Sequence, residues 1–209
     1  MIQEKDIIND LSSIKEMMQK SSRFISLSGL SGVLAGVYSL IAAYLANQLL
    51  IPFNTRGNYS INRVYTDDIT IKLFIIAAAV IILATTTGIF LTSRRAKKQG
   101  LSIWDYQAKR LIANLLIPLV TGGLFGIILL LQNKGDLIAP ITLIFYGLAL
   151  IHASKYTLGT IKYLGFIEVG LGLLATLFLR NGLFFWTLGF GVMHIVYGLF
   201  MYFKYERNL

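Results

Sequence analysis

The sequence predicts an all-α protein, a polytopic bundle of six transmembrane helices preceded by a short amphipathic helix. Hydrophobic residues make up 56% of the 209 residues and charged residues only 14%, with a mean hydropathy of +0.67, whereas a soluble domain carries roughly a quarter charged residues. Uncharged apolar stretches also recur along the whole chain, which leaves little polar sequence to cover a core in water. Lipid is the solvent that fits this composition.

Six stretches are apolar enough to be read as crossings, since a transmembrane helix needs about 20 largely apolar residues. The fourth is the shortest, and an interfacial or re-entrant segment is its alternative. That alternative would leave a very apolar run without a partner, so we interpret it as a full span. The expected spans are residues 24–52, 71–93, 111–132, 137–153, 161–179 and 183–203, between a cytoplasmic segment 1–23 and a cytoplasmic tail 204–209.

The basic residues predict the orientation, because Lys and Arg in short flanks are retained on the cytoplasmic side of a membrane. Fourteen fall on one side of the six spans and five on the other. Both termini are therefore expected in the cytoplasm. The larger group contains Lys5, Lys15, Lys20, Arg23, Arg94, Arg95, Lys97, Lys98, Lys109, Arg110, Lys155, Lys162, Lys204 and Arg207; the smaller contains Arg56, Arg63, Lys72, Lys134 and Arg180.

The segment before the first span has the pattern of an amphipathic helix. Ile7, Leu11, Ile14 and Met18 recur at spacings of three and four, with charged residues between them, as on one face of a helix. Such a helix lies on the head groups or folds under the bundle. The alternative is that residues 1–20 dock a soluble cytoplasmic partner or a second copy of the chain.

Glu168 is the most unusual residue, because it lies seven positions inside the fifth span, roughly 10 Å deep at 1.5 Å per residue. A carboxylate at that depth should face the bundle and be protonated or paired. His194 on the sixth span is expected at a comparable depth, and Tyr197 shares its helix face. These three residues form a candidate proton relay or ligand site, with a buried structural pair as the alternative.

Small residues recur at helix-packing spacing in four spans, where they would let helix backbones approach closely. Hinge points in a moving transporter are the other interpretation. The residues are Ser28, Gly32, Gly36, Gly122, Gly126, Gly165, Gly170, Gly172, Gly191 and Gly198.

Basic residues at the cytoplasmic interface are candidates for contacts with lipid head groups. Lys and Tyr at this level are ordinary interfacial anchors, and a pocket for an anionic head group is the sharper hypothesis. The candidates are Arg94, Arg95, Lys97, Lys98, Lys155 and Lys162.

Several function classes find no support in the residues. The chain has no Cys, and it contains no HExxH, GxxxxGK[ST] or GxSxG motif, so we expect no metal, no cofactor and no catalytic residue. The net charge of +9 could suggest nucleic acid, but the basic residues sit in short runs beside apolar spans, and we expect no nucleic-acid partner. The expected partner is the lipid bilayer, in particular anionic lipid, with homo-oligomerisation as a further option.

The stretches SKYTLGTIKYLGFIEVGLGLLA, residues 154–175, and GFGVMHIVYGLFMY, residues 189–202, resemble an uncharacterised group of small bacterial multi-helix membrane proteins. SLSGLSGVLAGVYSL, residues 26–40, is a looser match. The resemblance implies a bacterial inner membrane and implies no function.

The leading functional hypothesis is a non-enzymatic membrane scaffold or sensor, which binds lipid head groups or a partner on its cytoplasmic face. The first alternative is a small proton-coupled transporter that uses Glu168 and His194. The second is a membrane-embedded lipid-modifying enzyme, for which the candidate acids and histidines are few: Asp105, His152, Glu168 and His194. A transporter predicts a cavity that reaches Glu168, a scaffold predicts a packed pair, and an enzyme predicts a cleft at head-group level.

Overall fold

The computed structural model describes residues 28–55, 67–98 and 106–207, and every regular element in these ranges is helical. The predicted amphipathic segment 1–23 lies outside the described residues. The helices are α1 (Gly29–Thr55), α2 (Asp67–Lys98), α3 (Tyr106–Leu131), α4 (Gly135–Ala153, with a 3-10 turn at Gly135–Leu137), α5 (Ile161–Leu177) and α6 (Leu179–Tyr205).

Five of these six helices are long and apolar enough to cross a membrane. The exception is α5, which is shorter than the others. The sequence predicted that the fourth span is the shortest. The 3-10 turn at its start makes α4 19 residues long, so α4 is not the shortest helix. Instead α5 has 17 residues, about 25 Å at 1.5 Å per residue. It ends early because the backbone of Phe178 leaves the helical region, with φ −123° and ψ 57°.

Large apolar side chains cover much of the outer surface, above all on α2. None of the residues in the apolar window of α2 is buried, and Phe74, Ile82 and Phe90 are each more than half exposed. A surface of this kind would be unstable in water. It fits a helix that faces lipid along most of its length.

The helices form a row in which α2 packs mainly on α1, α1 on α6, α6 on α4 and α5, and α4 on α3. Glycines set the closest approach between α1 and α6. A Cβ at Gly29 would meet the backbone of Gly198 at 2.5 Å, and a Cβ at Gly36 would meet Ile195 at 2.6 Å. Residue numbers that increase along α1 therefore face residue numbers that decrease along α6, so the two helices are antiparallel.

The tightest pair is α4 with α5. A Cβ at Gly147 would lie 2.5 Å from the carbonyl oxygen of Gly165, and a Cβ at Gly172 would lie 2.6 Å from Ile144. In lipid, where there is no hydrophobic force between helices, contact this close is what van der Waals attraction requires. It brings the Glu168 face of α5 directly against α4 and α6.

Glu206, just after α6, joins three helix ends. Its carboxylate accepts a hydrogen bond from the backbone N–H of Gly29 at the start of α1 and one from Nη1 of Arg95 at 3.0 Å near the end of α2. Ser28 Oγ donates to the same carboxylate at 3.4 Å, and Arg95 Nη2 donates to the carbonyl of Tyr205 at 2.8 Å. The Arg95 and Glu206 side chains are each only 11% exposed, so this ion pair fixes the three ends together.

The starts of α3 and α5 and the end of α4 lie at the same end of the bundle as Glu206. Thr160, which precedes α5, lies 3.2 Å from the hydroxyl of Tyr197 in the last half of α6. Arg110 near the start of α3 sits 6.0 Å from the ring of Tyr156 after α4. The starts of α1, α3 and α5 and the ends of α2, α4 and α6 therefore share one end of the bundle, which we call the basic end.

Candidate functional site

Three polar side chains meet in the interior of the bundle, and we call them the polar core: Glu168 on α5, His194 on α6 and Tyr146 on α4. Nδ1 of His194 lies 3.4 Å from Oε1 of Glu168, and Nε2 of His194 lies 2.7 Å from the hydroxyl of Tyr146. Glu168 is 0% exposed and His194 is 6% exposed. Glu168 and His194 are thus shielded from their surroundings, whereas Tyr146 is half-buried.

The surroundings of His194 determine which ring nitrogen carries a proton. Nδ1 lies 3.1 Å from the carbonyl oxygen of Gly189, and a carbonyl can only accept a hydrogen bond. Nδ1 is therefore the protonated donor. In the neutral ring Nε2 accepts from the Tyr146 hydroxyl, and in the charged ring Nε2 donates to it, so both ring nitrogens are satisfied in either state.

Glu168 is less well satisfied than its partner. Within the described ranges, neither carboxylate oxygen has a hydrogen-bond partner, and the contact with His194 is an ion-pair distance outside hydrogen-bond geometry. The carboxyl group fits because residue 189 has no side chain: a Cβ at Gly189 would overlap Oε2 of Glu168. A buried polar group left in this condition is rare in proteins and is a candidate for a functional role.

The backbone beside Glu168 is irregular. Residues Thr187–Met193 of α6 form a π-helical turn between the α-helical segments Gly182–Trp186 and His194–Tyr205. Such turns are uncommon and are often found at functional sites. Here the π-helical segment places Gly189 against the carboxylate and presents its carbonyl to the ring of His194.

Aromatic rings close the polar core on the side away from the basic end. Phe190 lies 4.9 Å from the ring of Tyr146 and 5.8 Å from the ring of His194, measured between centroids. Trp186 follows at 5.0 Å from Phe190. Glu168 and His194 are therefore packed in the interior of the bundle.

The structure brings together two of the three residues in the predicted site. Glu168 and His194 are adjacent, whereas the hydroxyl of Tyr197 bonds to Thr160 at 3.2 Å, one turn closer to the basic end. Sequence reasoning missed Tyr146, the third member of the polar core. A signal was available, since a Tyr in an otherwise apolar span needs a partner for its hydroxyl.

No protein-family model, curated protein or solved structure matches this chain.

The polar core supplies two of the ligands that a metal ion would need. Within the described ranges, no three His, Cys, Asp or Glu side chains come together in a group that could hold a metal ion. His152, one of the residues considered for an enzyme, is exposed near the end of α4, apart from the buried His194. The pair lies at ion-pair distance, and an imidazole and a carboxyl group are both titratable.

The basic end is a second candidate site. Its described part carries ten Lys and Arg residues and one acid, Glu206, which is paired with Arg95. The described part of the opposite end mixes both signs: Asp68, Lys72, Lys134, Asp136 and Arg180. The basic residues are Arg94, Arg95, Lys97, Lys98, Lys109, Arg110, Lys155, Lys162, Lys204 and Arg207.

Aromatic rings accompany the cations at the basic end. The guanidinium of Arg110 lies 4.5 Å from the ring centroid of Tyr106, and Nζ of Lys162 lies 5.1 Å from that of Tyr163. Lys204 approaches the ring of Phe200 at 5.2 Å. Tyr and long basic side chains at one level are typical of the boundary between hydrocarbon and head groups.

Proposed function

We propose that the protein is a non-enzymatic integral membrane scaffold or sensor that binds anionic lipid head groups at its basic end. In this proposal it spans a bacterial inner membrane six times, with the basic end and both termini in the cytoplasm. The observation that supports it is the charge difference between the two ends of the helix bundle. Retention of Lys and Arg on the cytoplasmic side explains the orientation.

The exposed cations of the proposed lipid-binding face come from three helix ends, the ends of α2 and α4 and the start of α5. Lys97, Lys98, Lys155 and Lys162 are exposed, and each Lys or Arg near an anionic membrane surface adds about 1 kcal/mol of attraction. Arg95 contributes less to this face than the sequence suggested, because its guanidinium holds Glu206 and the Tyr205 carbonyl. Arg94, next to Arg95, is exposed and remains a candidate for contact with lipid head groups.

The test compares head groups on the full-length protein purified in detergent. Phosphatidylglycerol should raise the melting temperature more than phosphatidylcholine, because a ligand that binds the folded state stabilises it. The difference should shrink at high salt, since exposed charges are screened beyond a Debye length of about 10 Å at 0.1 M. The double variant Lys97→Gln, Lys98→Gln should lose a large part of the difference.

A matched control removes the same number of charges at the opposite end, with the double variant Lys72→Gln, Lys134→Gln. This control should keep the preference for phosphatidylglycerol. Equal loss in both double variants would show a general effect of net charge, and no preference in the unchanged protein would overturn the proposal.

A second candidate function is proton-coupled transport through the polar core. It is favoured by one observation: Glu168 is fully buried beside a titratable His194, and its carboxylate has no hydrogen-bond partner in the part of the chain that the structure describes. In this proposal the π-helical segment of α6 is the part that moves, since its backbone bonding is the least regular in the helix. The packing around Glu168 supports the scaffold more strongly, and proton flux separates the two functions.

A further inference from the structure

A large cavity opens at the end of the bundle opposite the basic end. Its volume is about 690 Å³, within the range of about 300–1,000 Å³ that is usual for ligand sites. The walls come from α1 and α2 on one side and from the starts of α4 and α6 on the other, with Leu130 of α3 at the edge. None of the three residues of the polar core lines it.

The cavity extends from the helix ends into the hydrocarbon region. Asp136, Arg180 and Asn181 line it at the level where α4 and α6 begin, and Thr142 and Thr187 line it further in. Six or seven residues of helix separate the two levels, which is about 9–11 Å at 1.5 Å per residue. The cavity therefore reaches well below the level of the head groups.

The rest of the wall is mostly apolar, with Asn47 on α1 and Thr70 on α2 as polar exceptions. Ala43, Leu73, Ala77, Ile138 and Phe184 are among its residues. Helices α1, α2, α4 and α6, which supply most of the wall, are each apolar enough to cross a membrane. The medium around this opening is consequently lipid on the sides and the head-group layer at the mouth.

The two hydroxyl groups at the inner end of the cavity do not make it a polar site. Thr142 Oγ1 donates to the carbonyl of Ala139 at 2.9 Å, and Thr187 Oγ1 donates to that of Leu183 at 2.7 Å. Each hydroxyl is satisfied by its own helix, which is common for Ser and Thr in membrane helices. A polar solute would find few partners at this depth, whereas a hydrocarbon chain needs none.

Because the lining changes from polar at the mouth to apolar further in, we propose that the cavity binds a membrane phospholipid. One acyl chain lies between α2 and α6, and the head group lies at the mouth. The polar residues at the entrance and the apolar interior match the two parts of such a molecule. The proposal does not depend on lipid binding at the basic end, which lies at the opposite side of the bundle.

Trp186 lines the cavity and provides a fluorescent probe for its contents. The chain has two tryptophans, and the other, Trp104, lies outside the described residues, so Trp104→Phe leaves Trp186 as the single tryptophan. The full chain carrying this change is placed in nanodiscs of phosphatidylcholine with bromine on its acyl chains. Bromine quenches on contact, and we expect strong quenching of Trp186.

The control for ordinary contact with surrounding lipid is to fill the cavity. Ala77→Phe places a ring on the α2 wall, and Ala79→Phe makes the same change two residues away, where α2 is exposed but does not line the cavity. The Ala77→Phe variant should lose most of the bromine quenching, and the Ala79→Phe variant should keep it. Equal quenching in all three proteins would overturn the proposal, because the quencher would then be bulk lipid.

A second measurement needs no cavity-filling variant. Acrylamide is a water-soluble quencher, and it should reach Trp186 poorly when an acyl chain occupies the cavity. Strong acrylamide quenching in the Trp104→Phe protein would show that the cavity holds water, and it would overturn the proposal even if Ala77→Phe did not fold.

Discussion

At the scale of single residues, Glu168 carries a carboxyl group where neither lipid nor water reaches it. Its side chain is 0% exposed, and His194 at 3.4 Å is the titratable group beside it. Burying a charge is costly unless the charge is paired and hydrogen-bonded. Glu168 and His194 therefore form either an ion pair or a contact between two neutral groups, and both states fit the protonated Nδ1 of His194.

Glu168→Gln and His194→Ala should affect stability very differently. The glutamine keeps the shape of Glu168, and the carboxylate has no hydrogen bond to lose among the described residues, so the free energy of unfolding should change by about 1 kcal/mol or less. His194→Ala breaks the bonds to Tyr146 and Gly189 and leaves a cavity, at a cost of about 2–4 kcal/mol. Thermal unfolding in detergent measures both.

The same Glu168→Gln variant decides between the two proposed functions. In vesicles with a potassium gradient and an internal pH dye, a scaffold moves no more protons than empty vesicles do, with or without the substitution. Proton uptake by the unchanged protein that Glu168→Gln abolishes would reject the scaffold and establish transport through the polar core.

At the scale of helices, close packing of α4 and α5 holds the polar core in place. Gly165, Glu168 and Gly172 lie on one face of α5 at spacings of three and four, and this face is buried. The spacing of small residues predicted close helix packing, and the structure shows it for Gly165 and Gly172. Gly170 differs, because a Cβ there would meet nothing within 4 Å.

Gly165→Ala and Gly170→Ala form a matched pair on one helix. A Cβ at Gly165 would lie 2.7 Å from the carbonyl oxygen of Gly147, so α4 and α5 would have to separate at a cost of about 1–3 kcal/mol. Gly170→Ala meets no obstacle and should be neutral or stabilise the helix by up to about 1 kcal/mol. Similar melting temperatures for the two variants would contradict the close contact.

At the scale of the whole molecule, the six helices alternate in direction, and the charges of their two ends differ. The Glu206 contacts join the start of α1 to the ends of α2 and α6, and Thr160 joins the start of α5 to the same region. Six crossings follow only if α5, at 17 residues, also traverses the bilayer. Local thinning of the bilayer accommodates a short helix at a small cost.

The orientation can be measured with single cysteines, since the chain contains none. Lys134→Cys, Lys155→Cys and Asn181→Cys place exposed thiols between successive helices from α3 to α6. A membrane-impermeant maleimide should label positions 134 and 181 in intact bacterial cells and position 155 only after lysis. Labelling of 155 and 181 from the same side would show that α5 does not cross.

The sequence by itself determined the helical class, the approximate helix positions and the unequal charge of the two ends. These properties follow from local composition, because about 20 consecutive apolar residues specify a membrane helix whatever its neighbours are. The depth of Glu168 and His194 could also be counted along their helices, which is why their proximity was predictable.

The tertiary structure alone decided how the helices are rotated and which of them touch. The bond between Tyr146 and His194 joins residues 48 positions apart, and that between Arg95 and Glu206 joins residues 111 positions apart. The cavity beside Trp186 likewise exists because α1 and α2 diverge from the starts of α4 and α6. Such features depend on packing between helix surfaces. The local sequence pattern of a single chain does not specify which helix surfaces contact each other.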